Sequence, residues 1–216
     1  MNGTGGDFTV KARIAVFVSG GGTNLQALFD ACANRRIVSG EIKLVISSRD
    51  GAYALERARA RGIPAVVCSL DECGSRAALE DKISAHLEEH RIELIVLAGY
   101  MSILSPDFVS RWPERIINVH PSLIPAFCGA GYYGLRVHKE ALERGVKITG
   151  ATVHFVNEIP DGGKIIAQKA VCVYEGDTPE SLQRRVMEQA EWVLLPRAVE
   201  EISKTVIEKR WRHCDD

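Results

Sequence analysis

Asn118 and His120 stand two residues apart in "INVHPSLIP", at the end of an apolar run. On an extended strand that spacing puts an amide and an imidazole on one face. An amide N–H donates to an oxygen that gains negative charge in a transition state. An imidazole carries a proton near neutral pH. Pro121 and Pro125 follow, so the chain leaves the strand abruptly and stiffly. A lone histidine at a strand end is more often structural, but the pair at the ligand edge of a sheet reads as functional. A carboxylate is at hand in "NEIPDGG", at Asp161. An Asp-Gly-Gly turn needs no function to explain it. Facing His120, however, Asp161 would raise the imidazole pKa and fix the ring. A histidine, an amide and a carboxylate with no serine or cysteine nucleophile leave the attacking group to the substrate. That points to group transfer through a tetrahedral intermediate, not to a covalent hydrolase.

Two further stretches offer binding chemistry. "SGGGTNL" (19–25) joins a strand to a helix, and its glycines let a ligand approach the free N–H groups of the helix start. It is not a Walker A loop, because no lysine follows, and Leu25 breaks the dinucleotide G-x-G-x-x-G register. Taken alone it is equally a tight connection. In "GYMSILSP", Tyr100, Met101, Ile103 and Leu104 are core packing or the wall of a pocket for a flat aromatic ligand. His86 and His90 lie four apart in the polar "HLEEH" and read as a solvated face. His154 reads as core or pocket wall, and Cys128 as incidental, with no base beside it.

These groups need elements to hold them. Apolar runs at 13–19, 41–47, 65–68, 94–99 and 116–120 predict strands, alternating with helices over 24–34, 52–62, 75–90 and 105–112. Ser75 is the expected N-cap of the third helix. The strands are Val/Ile/Leu-rich without clean alternation, so both faces are buried. The expectation is an α/β fold with a doubly wound, mostly parallel sheet, whose ligands lie beyond the carboxyl ends of the strands. After about residue 146, 147–156 and 164–174 read as a hairpin, so the sheet ends in antiparallel strands. A helix over 178–210, broken or bent near Pro196, follows. The expectation is one domain over 1–216, with 1–12 a flexible tail.

Composition sets limits. The 216 residues carry a net charge of -1, with 46% hydrophobic and 25% charged residues. No basic excess argues for nucleic acid or an anionic membrane as partner, so any anion must be held locally. The six cysteines form no C-x-x-C pair. Cys32, Cys68 and Cys172 sit in apolar segments and read as small core hydrophobes, which fits a reducing, cytoplasmic setting. No signal-peptide or transmembrane pattern is present. Nothing in the sequence speaks to oligomeric state.

The motifs "SGGGTNLQAL", "LAGYMSILSPDFV", "INVHPSLIP", "GATVHFV" with "DGG", and "EQAEW…LP" together resemble the glycinamide ribonucleotide formyltransferases, folate-dependent enzymes of purine synthesis. The resemblance runs from about Arg13 to about Pro196. It implies a Rossmann-like formyltransferase fold, 10-formyltetrahydrofolate as cosubstrate, glycinamide ribonucleotide as substrate, and no metal. It implies Asn118, His120 and Asp161 as the catalytic trio, with protonated His120 and Asn118 stabilising the oxyanion. Gly22, Thr23 and Asn24 match the phosphate loop. Met101, Ser102, Ile103 and Leu104 match the pterin segment, which Asn118 also faces. Asn157, Glu158, Ile159, Pro160 and Asp161 match the loop closing over it. Arg76 matches a folate-contacting arginine. Glu191 matches an acid near the glycinamide, with Glu188 one turn earlier on the same face. Departures are Gly21 for a usual asparagine, Ser102 for a basic residue, Trp192 for a frequent histidine, and a longer stretch over 126–135. A formyltetrahydrofolate hydrolase is the alternative, disfavoured because about a dozen residues precede the first strand, where such proteins carry a regulatory domain. A non-catalytic nucleotide-binding module would leave the trio unexplained. A methionyl-tRNA formyltransferase fits neither the phosphate loop nor the missing C-terminal nucleic-acid domain.

Overall fold

The structure is a computed structural model and describes residues 10–212. Most of the expected tail lies outside this range. Ala12, expected in the tail, is fully buried as the first residue of β1 (Ala12–Val18). The chain continues through α1 (Thr23–Ala33), β2 (Gly40–Ser47), α2 (Tyr53–Arg59), β3 (Ala65–Val67), α3 (Leu70–Cys73), α4 (Arg76–Glu89), β4 (Leu94–Leu97), α5 (Pro106–Ser110) and β5 (Ile116–His120). Then come α6 (Leu135–Glu143), β6 (Ile148–Phe155), β7 (Ile165–Cys172), α7 (Pro179–Val186), a π-helical turn (Met187–Glu191) and α8 (Trp192–Arg212).

The strands form one seven-stranded sheet in the order β3-β2-β1-β4-β5-β6-β7. β1 to β5 run parallel; β6 is antiparallel to β5, and β7 to β6. The reason the first strands read as continuous apolar runs is visible in β1. Ile14, Val16 and Val18 enter one core cluster, with Leu25 and Leu28 of α1 and Leu194, Leu195 and Val199 of α8. Ala15 and Phe17 enter the other, with Leu79, Ile83 and Leu87 of α4 and Phe108 of α5. Each strand side chain meets a helix whichever way it points. Truncating one such residue costs about 2–5 kcal/mol.

Helix starts obey local chemistry. Ser75 accepts from the Ala78 N–H at 3.2 Å, as expected of an N-cap, and Ser105 does the same for Phe108 at 3.1 Å. Two helices were not anticipated, α3 and α6. The buried stripe of α6 is only Val137, His138 and Ala141, too small to announce a helix after a glycine-rich loop. The C-terminal helix differs as well. Pro196 lies inside an unbroken α8, and the irregularity falls one turn earlier, in the π turn. That wide turn closes at Trp192, whose N–H reaches back to the Met187 carbonyl. Trp192 also carries the carbonyl that the Pro196 ring would crowd in a regular helix. Cys172, expected in the core, is exposed on the edge strand β7, while Cys68 is buried.

The order of strands reverses between β1 and β4, so the crevice at their carboxyl ends is the place for a ligand. The glycine loop leaves β1 there, and the 98–105 segment leaves β4 beside it.

Candidate active site

Asn118 and His120 project from the end of β5, which pairs with His154 and Thr152 of β6. Asp161 arrives on the β6–β7 connection with φ of 55°. Its place there depends on Gly163, because a Cβ at that position would lie 1.7 Å from the Phe155 carbonyl oxygen. The Asp161 carboxylate touches four groups. Oδ2 accepts the Gly129 N–H at 2.8 Å and lies 3.5 Å from His120 Nδ1. Oδ1 accepts from Asn118 Nδ2 at 3.4 Å and lies 3.5 Å from His154 Nε2. The expected trio is therefore assembled in direct contact.

Protonation follows from the partners. His120 Nε2 lies 2.8 Å from the Phe127 carbonyl, so it carries a proton and donates it there. The lone pair of Nδ1 then faces Asp161. Burial pushes the His120 pKa down, and this outweighs the upward pull of Asp161 and of the Phe127 carbonyl; His154 adds to the lowering. Burial and the Asp161 carboxylate thus act on the His120 ring in opposite senses. For Asp161, burial raises the pKa, but His154, His120 and the Gly129 amide together leave it lowered, so it is ionised. His154 donates from Nδ1 to the Phe155 carbonyl at 2.7 Å, and its Nε2 lies 3.2 Å from Asn118 Nδ2. His138, buried on α6, is pushed down to about 4 by burial and by His120.

A cleft of about 130 Å³ opens off this cluster. It is lined by Asn118, Asp161, Ser102, Ile103, Leu104, Asn157, Glu158, Ile159 and Pro160, all expected, and by Tyr100 and His154. Met101 does not line it; its N–H donates to Ser19 Oγ at 2.8 Å. Arg76 reaches over from α4 and donates to the Ile103 carbonyl. A larger cavity of about 470 Å³ around Glu93, Arg115, Phe155 and Val206 lies at the opposite strand ends, away from these groups.

The glycine loop turns at Gly22, with φ 70° and ψ 36°, into an α1 start that no side chain caps. Its first-turn N–H groups are thus open to an anion. Asn24 does not present its side chain to that space. It is buried, and its Nδ2 donates to Glu191 Oε2 at 2.6 Å. Burial raises the Glu191 pKa, against the Asn24 bond. Thr23 Oγ1 lies 3.8 Å from Met187 Sδ. Glu188 is exposed whereas Glu191 is buried. The expected shared face fails because the π turn advances fewer degrees per residue than an α-helix.

Sequence reasoning missed Phe127, Gly129 and Ser19, and left His154 undecided. The first two act through main-chain groups that any residue carries. For His154, its position opposite Asn118 on the next strand is the signal that could have found it.

This is a doubly wound sheet whose crevice joins an anion cradle, an apolar cleft and an Asn–His–Asp cluster. Residues 12–199 match the formyl transferase family, and the chain belongs to it. A solved structure of glycinamide ribonucleotide transformylase 1 from Symbiobacterium toebii is 42% identical, with a TM-score of 0.84, covering 90% of this chain and 89% of that one. The phosphoribosylglycinamide formyltransferase of Haemophilus influenzae is 41% identical over 87% of this chain and 85% of its own. The trifunctional purine biosynthetic protein adenosine-3 of Gallus gallus is 44% identical over 93% of this chain, which spans only 19% of that protein's length.

Proposed function

We propose that this protein transfers the formyl group of 10-formyltetrahydrofolate to the amino group of glycinamide ribonucleotide, a step of de novo purine (IMP) synthesis. The observation that carries the reading is the four-way contact of Asp161 at the junction of the glycine loop and the apolar cleft. The names of the relatives above support formyl transfer to glycinamide ribonucleotide. We read the chain as a single domain. We place it in the cytoplasm, on the free thiols of Cys32 and Cys68 within the fold.

In this reading the neutral amine attacks the formyl carbon. Asn118 Nδ2 donates to the developing oxyanion, giving up its long contact with Asp161. The amine proton goes to Nδ1 of His120, where Asp161 stabilises the imidazolium as it forms. Collapse of the intermediate expels the folate nitrogen, which takes the proton from Nδ1 of His120 and so returns the ring to its starting state. The pterin rests in the cleft of Ser102, Ile103, Leu104 and 157–161, with Arg76 at its mouth. The ribonucleotide phosphate takes the N–H groups of Gly22, Thr23 and Asn24. Glu191 steadies the phosphate loop, through its hold on Asn24. The test is formyl transfer from 10-formyltetrahydrofolate with and without glycinamide ribonucleotide. Folate release that depends on the ribonucleotide, with formylated product, is expected; equal release to water without it overturns the reading.

A further inference from the structure

The glycine loop and the folate segment are joined by one hydroxyl. Ser19 is the last residue before the glycines and is 5% exposed. Its Oγ accepts the Met101 N–H at 2.8 Å, across the switch point from the end of β1 to the segment after β4. The same oxygen shares a hydrogen bond of 2.5 Å with Ser48 Oγ at the end of β2. The rest of each segment is fastened separately. Behind the glycine loop, Ala54 N–H donates to the Gly20 carbonyl at 3.1 Å and Arg57 Nε to the Gly21 carbonyl at 2.8 Å. Beyond Met101, Arg76 holds the Ile103 carbonyl. Glu80, buried on α4, accepts the Ser105 N–H at 2.7 Å and the Ser105 hydroxyl. The folate segment is thus pegged at its far end by α4 and at its near end by β1, through the Ala98 N–H on the Phe17 carbonyl at 2.9 Å, the Tyr100 ring against Phe17 and, at Met101 itself, the Ser19 hydroxyl.

We infer that Ser19 is a positioning residue for the transfer, setting the folate segment in register with the ribonucleotide loop. The inference rests on the substrate assignment proposed above. The 98–105 segment is neither helix nor strand, so bonds from neighbouring elements have to locate it. A displacement of about 1 Å in the donor is enough to slow transfer on the order of 100-fold. Without the Ser19 hydroxyl, the Met101 N–H loses its acceptor at a part-buried position, and the segment is free to move to find another.

The test uses Ser19→Ala and Ser19→Thr in the full chain. Affinities for tetrahydrofolate and for glycinamide ribonucleotide are measured separately by calorimetry, beside kcat. Wild type must first bind tetrahydrofolate; if it does not, the substrate assignment fails and not this inference. In Ser19→Ala the folate affinity falls on the order of tenfold. The ribonucleotide affinity stays within about twofold, because α2 still holds that loop, and kcat falls by more than the folate affinity. Ser19→Thr keeps the hydroxyl and restores much of both. Should the threonine variant fail to fold, wild type and Ser19→Ala alone decide. Folate affinity unchanged in Ser19→Ala, or folate and ribonucleotide affinity falling together, overturns the role.

Discussion

Asp161 touches four groups, and Asp161→Asn separates their contributions while keeping the shape. The carboxylate pulls the His120 pKa up against burial, so its loss lets burial lower that pKa further. If neutral His120 is the working form, the rate rises with pH through its pKa, and the acid limb of the profile moves to lower pH in the variant. The plateau falls on the order of 100-fold or more, since the lost interaction is with charge that develops during transfer. A pH–rate profile beside wild type checks both; an unmoved limb and an equal plateau reduce Asp161 to a turn residue. His154→Ala acts in the opposite sense on Asp161. Burial raises that carboxyl, and His154 is the foremost group pulling it back down. Without the imidazole the Asp161 pKa rises, and a carbon-detected NMR titration of the carboxyl is expected to move to higher pH.

The glycine loop works as part of a helix pair. At Gly22 the backbone is left-handed, and a Cβ there would meet Ala54 Cβ at 2.7 Å. Gly22→Ala therefore strains the turn by about 1 kcal/mol and also wedges α1 from α2. Ribonucleotide affinity is expected to fall and the melting temperature to drop, with folate affinity largely kept; calorimetric titration of each ligand tells the loops apart. The parallel strands and the hairpin were legible because each has an apolar run bounded by Gly, Pro or polar residues. Asn118, His120 and Asp161 were legible because a pair of polar groups at a buried strand's end has few bland explanations. Resting protonation was not legible, because it depends on how burial weighs against a carboxylate 3.5 Å away. Nor were α6, with its two-residue apolar stripe, or the π turn, which no residue type marks. The peptide groups of Phe127 and Gly129 are beyond any reading of side chains.

At the scale of the whole molecule, the turn from β7 into α7 is fixed by specific polar contacts. Arg185 of α7 grips Asp177 through two bonds of 2.6 Å, and this pairing, with the Tyr174 N–H and Ser181, holds the Asp177 carboxyl well below its usual 3.8. The folded pKa is depressed, so the stabilisation is complete above about pH 5 and is lost as pH falls through 3.8 toward the folded value. Asp177→Asn is expected to cost about 2 kcal/mol at neutral pH, and the difference from wild type to shrink in acid. Urea unfolding across a pH series measures it. The placement of α8 carries a further consequence. Its Leu194, Leu195, Ala198 and Val199 close the cluster that the side chains of β1 and α1 began. A growing chain emerging from the ribosome would hold that apolar face bare until the first turns of α8 had been made. Such a chain, arrested after Glu191, should bind a hydrophobic dye and a chaperone where the finished protein binds neither. β1, central in the sheet, thus waits for cover from a helix that follows every strand.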